Sequence, residues 1–179
     1  MAGVTPDQEM RDAARALLEL CVQKKLTLAT AESCTGGLLA ATLTDIPGSS
    51  VVVDRGFVTY TNEAKQAMLG VPPMTLESYG AVSRETAEAM VTGALAHAAV
   101  NIAVSITGIA GPQGAKPGKP IGLVHFAAGS RSGRLIAHDR KFGDIGRSEV
   151  RRCSVLQALA MLHEIAEKEE PEPPPPAAD

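Results

Sequence analysis

A run of small polar residues at 32–37, Glu-Ser-Cys-Thr-Gly-Gly, is the first place where the residue types could do chemistry. It separates the β-type segment 26–31 from the helical pattern LLAATLTDI, so we expect it to join a strand to a helix. Backbone N–H groups at a helix start can bind a phosphate, or stabilise an oxyanion beside a nucleophile. Ser and Thr are also preferred helix caps, so a purely structural turn is an equal alternative. The candidate nucleophile of this segment is Ser33, and its candidate ligand contacts are Thr35, Gly36 and Gly37.

A second polar segment, residues 60–65, places a lysine near the start of a short predicted helix. Thr61 or Asn62 caps this helix, and Asn62 is also a candidate substrate contact. Lys65 falls in the first turn, where the helix dipole opposes a cation. That field lowers the pKa of a lysine and suits it to act as a base. An exposed lysine that merely tolerates the position is the alternative.

A serine nucleophile needs a base, and the sequence offers few choices. All four histidines lie within predicted helices or strands, so no Ser-His-Asp arrangement is evident. Ser33 with Lys65, assisted by Tyr60, is therefore the most economical catalytic arrangement. Cys34 is an alternative nucleophile, although a buried, inert thiol is the favoured interpretation of it.

Two further segments could bind a ligand. Residues 107–112 begin with Thr107 after a buried strand, and Gly108 and Gly111 would let the backbone approach a ligand closely; a structural turn is equally consistent. The stretch 131–152 is rich in Arg and Lys and reads by default as a solvated face. If it instead holds an anion, Arg147 is its best candidate, because Arg binds phosphate in a bidentate manner.

The elements that must position these residues alternate along the chain. We predict strands at 26–31, 51–61, 102–107, 121–129 and 134–142, with Gly56 a candidate bulge in the second strand. A helical pattern precedes the first strand, one follows each of the first two strands, a further helix capped by Ser83 precedes the third strand, and a last helix covers 147–167. This order indicates an α/β three-layer sandwich around a mostly parallel sheet with an antiparallel edge and helices on both faces. Ligands of such sheets bind beyond the carboxyl ends of the strands, where the candidate residues fall.

Composition narrows the class of protein. The chain has 179 residues, of which 45% are hydrophobic and 21% charged, as expected for one domain, which we place at 1–167. Residues 168–179 are rich in Pro and Glu and predict a disordered tail whose removal from residue 169 onward leaves stability unchanged. The three cysteines have no CxxC spacing, so neither a disulfide framework nor a zinc site is expected.

Partners are limited by charge and by aromatic content. Only 3% of the residues are aromatic, which disfavours a surface for stacking single-stranded nucleic acid. The net charge is −3, and the acidic carboxyl end accounts for it, so the rest of the chain is too close to neutral for a DNA-binding domain. Neither a membrane span nor a signal peptide is evident, which predicts a cytoplasmic protein.

Five blocks of the sequence, taken together and in order, resemble a known family. They are ESCTGGLLAATLTDIPGSS, VTYTNEAKQAMLGV, YGAVSRETAEAM, SITGIAGPQG and KPIG. This set resembles the CinA C-terminal domain family, whose enzymatic members are nicotinamide mononucleotide deamidases of the PncC type. One departure is visible, because Gln113 and Ala115 stand where the family often has glycine.

The resemblance implies an amidohydrolase that converts nicotinamide mononucleotide and water to nicotinate mononucleotide and ammonia, with no metal or cofactor. By position, Ser33 corresponds to the nucleophile and Lys65 to the catalytic lysine, while Tyr60, Thr107 and Arg147 belong to the same pocket. On this hypothesis the N–H groups of 34–37 form an oxyanion hole, and Thr107 with Arg147 holds the phosphate. The resemblance also implies a homo-oligomer. A regulatory nucleotide-binding module with an inherited, inactive pocket is the alternative function.

Overall fold

The computed structural model describes residues 6–170, in which helices and strands alternate as the sequence predicts. The helices are α1 (Pro6–Lys24), α2 (Leu38–Thr44), α3 (Asn62–Leu69), α4 (Pro73–Tyr79), α5 (Arg84–His97) and α6 (Arg147–Lys168). The strands are β1 (Leu28–Glu32), β2 (Val53–Val58), β3 (Ile102–Gly108), β4 (Leu123–Ser130) and β5 (Leu135–Lys141). No helix in this part of the chain is long and apolar enough to cross a membrane.

The five strands form one mixed sheet in the order β2-β1-β3-β4-β5. β1 pairs in parallel with both β2 and β3, whereas β4 runs antiparallel to β3, and β5 antiparallel to β4. The carboxyl ends of the three parallel strands therefore meet at one edge of the sheet. The predicted architecture, a mostly parallel centre with an antiparallel edge, is confirmed.

Helices cover both faces of the sheet, and each face has its own aliphatic core. Along β1, Leu28 packs on the face covered by α1, α2 and α6, while Ala29 and Ala31 pack on the face covered by α3, α4 and α5. The same alternation runs through β3 and β4, as the period-two geometry of a strand requires. This is a three-layer sandwich.

Strand β2 is shorter than the predicted strand 51–61. Residues Ser49–Val51 form a 3₁₀ turn, and β2 ends where its five-residue partner β1 ends. The irregularity in the ladder lies at Asp54, which the register skips, so Gly56 is not the bulge. A Cβ on Gly56 would stand 3.1 Å from the Ala40 Cβ, so the glycine is needed because α2 packs closely against the strand.

Helix α4 is absent from the elements that the sequence patterns predict. Pro73 occupies a first-turn position of α4, which its fixed φ angle favours. The helix leads the chain to the segment 80–83, which forms one wall of the cavity described below.

The carboxyl end of α6 extends beyond the predicted boundary at 167. Glu169 is only 7% exposed, its carboxylate lies 2.9 Å from Arg134 Nε, and it accepts a hydrogen bond from Ser132 Oγ. Lys24 Nζ donates to three backbone carbonyls at this end of the helix. Glu169 is thus part of the packed structure, whereas residues 171–179 of the expected tail lie outside the described part of the chain.

This contact changes the expected result of shortening the chain. A protein that ends at Lys168 loses the Glu169 contacts, whereas one that ends at Glu170 keeps them. Because Arg134 is half exposed, we expect the difference in unfolding free energy to be about 1 kcal/mol. That corresponds to a melting temperature lower by about 2–4 °C for the shorter protein, measured by thermal denaturation. Equal melting temperatures would show that Glu169 contributes nothing.

Candidate active site

A cavity of about 240 Å³ opens where the parallel strands end, and it brings together residues from several elements. Ser33 follows β1, Thr107 is near the end of β3, Lys65 comes from α3, and Arg147 begins α6. The residues that line the cavity are Ser33, Cys34, Tyr60, Lys65, Ala81, Val82, Thr107, Gly108, Ile109, Ala110, Gly111, Gln113, Gly114 and Arg147. The cavity lies beyond the ends of the parallel strands, where the sequence analysis expects the site, and its role as the functional site stays a prediction.

The side chains of Ser33 and Lys65 are in direct contact. Lys65 Nζ lies 3.0 Å from Ser33 Oγ and donates a second hydrogen bond, of 2.8 Å, to the backbone carbonyl of Thr59. Ser33 is 8% exposed and Lys65 is 1% exposed. The sequence argument that paired these two residues is therefore supported by their geometry, and Lys65 is not the exposed lysine of the alternative interpretation.

Burial lowers the pKa of Lys65 from 10.5 to about 8. Its two hydrogen-bond partners are a hydroxyl and a carbonyl, and within residues 6–170 it forms no ion pair with a carboxylate. Loss of water around the ammonium therefore favours the neutral amine. The direction of the shift agrees with the prediction, but its main cause is desolvation rather than the dipole of α3. An amine with a pKa near 8 is neutral often enough at physiological pH to serve as a base.

Cys34 is the less suitable nucleophile. It lines the cavity but is only 6% exposed, and burial raises the pKa of its thiol to about 12. The reactive form of cysteine is the thiolate, which is scarce at such a pKa. This environment favours the interpretation of Cys34 as an inert buried thiol.

The turn after Ser33 is held by the carboxylate of Glu32. This side chain is fully buried and accepts hydrogen bonds from the backbone N–H groups of Gly37, Leu39 and Ala40 at 2.9–3.1 Å. The N–H of Gly36 donates to the carbonyl of Ser33. The start of α2 is therefore occupied by the protein's own anion, and it is not open to a substrate phosphate.

Four of the predicted substrate contacts are not in the cavity wall. Thr35 is fully buried, and Gly36 and Gly37 use their N–H groups inside the turn. Asn62 is exposed at the start of α3, whose cap is Thr61 rather than Asn62. Sequence reasoning placed these residues at a helix start correctly, but it missed that Glu32 fills that position.

Of the N–H groups predicted to form an oxyanion hole, two remain as candidate donors. Within the described chain, the N–H groups of Cys34 and Thr35 form no hydrogen bond to another residue, whereas those of Ser33, Gly36 and Gly37 are all engaged. The N–H of the residue after a nucleophile is a common oxyanion donor. Cys34, which lines the cavity directly after Ser33, has its N–H at that position.

Arg147 spans the mouth of the cavity. Its guanidinium donates to the carbonyl of Gly111 at 3.0 Å and to the hydroxyl of Tyr60 at 2.9 Å. The Tyr60 hydroxyl thus contacts Arg147, and no hydrogen bond joins it to Ser33 or Lys65 in residues 6–170. The expectation that Tyr60 assists the base receives no support from this geometry, which makes Tyr60 a partner of Arg147 instead.

Thr107 lines the cavity but its hydroxyl is engaged. It donates to the carbonyl of Ala81 at 2.6 Å and so ties the end of β3 to the opposite wall. Next to it, a Cβ on Gly108 would come within 2.8 Å of the backbone of Leu123, so only glycine fits between β3 and β4. Thr107 therefore shapes the cavity, and its proton is not free for a phosphate.

The cavity is cationic and holds no cluster suited to a metal ion. Lys65 and Arg147 line it, and no Asp, Glu or His of the described residues does. In residues 6–170 no group of three or more His, Cys, Asp or Glu side chains could hold a metal ion. A larger groove, of about 370 Å³, lies beside α1 at residues 46–49, but it has no nucleophile and base in contact.

The sequence is similar to those of known proteins. A model of the CinA C-terminal domain matches residues 10–166. A competence-damage inducible protein of Symbiobacterium thermophilum is 51% identical over 161 residues, which cover 83% of this chain and 36% of the relative. A competence-damage inducible protein of Acetivibrio thermocellus is 46% identical over 158 residues, which cover 88% of this chain and 37% of that relative. The chain thus spans little more than a third of the length of these curated relatives.

Solved structures extend the likeness to the fold. The competence/damage inducible protein CihA from Agrobacterium tumefaciens is 49% identical, with a TM-score of 0.88 over 94% of this chain and 100% of that one. A CinA superfamily protein from Klebsiella pneumoniae is 35% identical, with a TM-score of 0.84 over 88% of this chain and 98% of that protein. Together with the match over residues 10–166, these relatives show that the chain belongs to the CinA C-terminal domain family.

Proposed function

We propose that the chain is an amidohydrolase that converts nicotinamide mononucleotide and water to nicotinate mononucleotide and ammonia. The observation that carries the proposal is the contact between Ser33 Oγ and a buried, uncompensated lysine amine, Lys65 Nζ. A hydroxyl paired with an amine of lowered pKa is an activated nucleophile of the Ser-Lys type. The resemblance of the sequence to PncC-type deamidases adds the identity of the amide.

In the first half of the reaction, the neutral amine of Lys65 takes the hydroxyl proton of Ser33 as the oxygen attacks the carboxamide carbon. Lys65 keeps one N–H on the Thr59 carbonyl, which leaves its lone pair available to Ser33. The tetrahedral intermediate gains an oxyanion, which the N–H of Cys34 stabilises. Collapse breaks the carbon–nitrogen bond, the Lys65 ammonium gives its proton to the departing nitrogen, and ammonia leaves a nicotinoyl ester on Ser33.

In the second half, water replaces ammonia and the roles reverse. Lys65 takes a proton from the water as its oxygen attacks the ester carbon. The intermediate then expels Ser33 Oγ, which recovers its proton from the Lys65 ammonium. The products are nicotinate mononucleotide and the starting enzyme, and the two half-reactions use only Ser33, Lys65 and water.

The charge and size of the cavity support a small anionic substrate. Lys65 lies at the reacting end, and Arg147 supplies a guanidinium suited to a phosphate. The volume of about 240 Å³ is just below the roughly 300–1,000 Å³ typical of ligand pockets. A mononucleotide whose phosphate reaches the mouth fits this space better than a dinucleotide.

The buried lysine also favours an enzyme over an inactive regulatory module. Because burial lowers the pKa of Lys65 from 10.5 to about 8, keeping its ammonium in this environment costs about 3 kcal/mol at pH 7. A binding module could hold an anion with an exposed cation such as Arg147 and would not need an amine buried against a serine hydroxyl. The names of the relatives refer to competence and damage and leave the chemistry open.

The test is release of ammonia from nicotinamide mononucleotide, with nicotinate mononucleotide identified as the second product. We expect the protein as described to turn the substrate over, and Ser33→Ala to lower kcat by on the order of 10³ or more, because the nucleophile is lost. Ser33→Ala should still bind the substrate in a calorimetric titration. Binding by both proteins with ammonia from neither would instead identify a regulatory module.

We further propose that the enzyme acts in the cytoplasm as a homo-oligomer, with the small nucleotide as its partner and neither nucleic acid nor membrane involved. Three large apolar side chains, Val58, Tyr60 and Ile145, are 43–59% exposed, and Tyr60 lines the cavity. Association would remove such surface from water. Sedimentation velocity measures the state directly, and a single monomeric species at micromolar concentration would contradict the oligomer.

A further inference from the structure

Among residues 6–170, Glu32 is the one buried carboxylate in contact with the turn that carries Ser33, and the proposed mechanism gives it no step. The side chain is fully buried, and its hydrogen bonds within residues 6–170 come from the backbone of α2, not from a cation. Its own backbone carbonyl accepts a hydrogen bond from Thr59 N. Glu32 therefore joins the segment that holds Lys65 Nζ to the helix that follows Ser33.

The positions of these bonds restrict where Ser33 can lie. Residue 32 ends β1, and the backbone N–H of Ser33 donates to the Ile106 carbonyl of β3, which fixes one end of the turn. The carboxylate of Glu32 fixes the other end, because it accepts hydrogen bonds from the N–H groups of residues 37, 39 and 40. The turn between these anchors is short, and within residues 6–170 the N–H groups of Cys34 and Thr35 donate to no other residue.

A carboxylate is the side chain suited to this position. It has only acceptor sites, so its two oxygens can receive all three N–H groups. The three N–H groups lie in the first turn of α2, where the partial positive charge of the helix stabilises an anion. An amide of the same shape has one acceptor oxygen, and its NH₂ group would face backbone donors.

We infer that Glu32 is a positioning residue for the reaction: it holds Ser33 Oγ against Lys65 Nζ and leaves the Cys34 N–H available to the oxyanion. This inference rests on the proposed function only in taking Ser33 as the nucleophile. Loss of the Glu32 bonds should loosen the turn and lengthen the 3.0 Å contact. A misplacement of about 1 Å in such a contact costs on the order of 100-fold in rate.

The test compares Glu32→Gln with Glu169→Gln in the full chain. Glu169 is the matched control, because it is also a buried carboxylate but contacts Ser132 and Arg134 away from the cavity. The readouts are the rate at which a fluorophosphonate reagent labels Ser33, kcat and KM for nicotinamide mononucleotide, and the melting temperature. Labelling measures the reactivity of Ser33 whatever the natural substrate is.

We expect Glu32→Gln to lower the labelling rate and kcat by a similar factor, between about 10-fold and 100-fold, with KM changed less than about twofold. The pH midpoint of activity should stay near that of Lys65, because the base is intact. Glu169→Gln should lower the melting temperature and leave labelling unchanged. If Glu32→Gln does not fold, Glu32→Asp serves, because it keeps the charge but withdraws the carboxylate from α2 by one methylene.

Labelling of the Glu32 variants at the rate of the unaltered protein would overturn the inference, whatever their melting temperatures. Normal labelling of the unaltered protein without ammonia release would overturn the proposed function and leave the role of Glu32 standing. An unaltered protein that the reagent does not label would overturn both, because Ser33 would not be a nucleophile.

Discussion

Replacing Lys65 with Ala is expected to lower kcat by on the order of 100-fold or more, with KM largely unchanged. A general base acts only as the proton moves, so its loss is felt in the transition state rather than in substrate binding. Lys65→Arg should not restore the rate, because a guanidinium stays protonated and cannot accept the Ser33 proton. Steady-state kinetics of the three proteins measure both parameters. A Lys65→Arg enzyme with near-normal kcat would show that Lys65 acts as an electrostatic anchor.

The pH dependence of activity follows from the same residue. Because burial lowers the pKa of Lys65 to about 8, the active neutral amine is the minor form at pH 7. We expect kcat/KM to rise with pH through a midpoint near 8 and then to level off. A profile that is flat between pH 6.5 and 9.5 would contradict the assignment of Lys65 as the base.

The contribution of Lys65 to stability also depends on pH, and the free energy of unfolding should rise with pH as the activity does. The pKa of Lys65 is lower in the folded protein than in the unfolded chain, so the folding cost of its burial is complete below about pH 8. The cost disappears as the pH rises toward 10.5, where the amine is neutral in both states. We therefore expect Lys65→Met to be inactive but more stable than the parent at pH 7, with a smaller difference at pH 10. Urea denaturation at the two pH values measures this difference.

Replacing Arg147 with Ala is expected to raise KM by about 10-fold to 100-fold and to change kcat little. One charge-assisted hydrogen bond contributes roughly 1.5–3 kcal/mol, which corresponds to one to two decades in affinity. The phosphate of nicotinamide mononucleotide lies far from the reacting carbon, so it is bound equally in the ground and transition states. The matched control is Arg140→Ala, at an exposed position on β5, which should leave both KM and kcat unchanged.

A substrate without the phosphate separates the role of Arg147 from general damage. Nicotinamide riboside should have a low kcat/KM with the unaltered enzyme, and Arg147→Ala should lower it little further. If Arg147→Ala weakens both substrates by the same factor, the guanidinium acts through its bonds to Tyr60 and Gly111 rather than on the phosphate.

Much of the fold and the central pair of the site could be predicted from the sequence. Hydrophobic patterns and Gly-containing turns placed Ser33 and Lys65 after strands, and parallel strands must end at one edge of a sheet. The contact between the two side chains followed from that rule. The geometry of Tyr60 did not, because whether its hydroxyl points to Lys65 or to Arg147 depends on packing between α6 and the loop before α3.

The role of Glu32 was missed for a different reason. Sequence patterns show a helix start with free N–H groups, but they do not show which anion fills it. The signal was the acidic residue directly before the Ser-Cys-Thr-Gly-Gly turn, buried at the end of β1. Likewise helix α4, which the sequence patterns do not predict, begins at Pro73.

The most direct test of the proposed chemistry is to detect the ester on Ser33. Enzyme mixed with nicotinamide mononucleotide, quenched in acid within milliseconds and digested, should yield a peptide around Ser33 that carries the nicotinate mononucleotide acyl group. Hydroxylamine added during turnover should trap the same acyl group as a hydroxamate, and Ser33→Ala should give neither product. Ammonia release at a normal rate with no adduct and no hydroxamate would contradict the account, because water would then attack the amide without Ser33 as nucleophile.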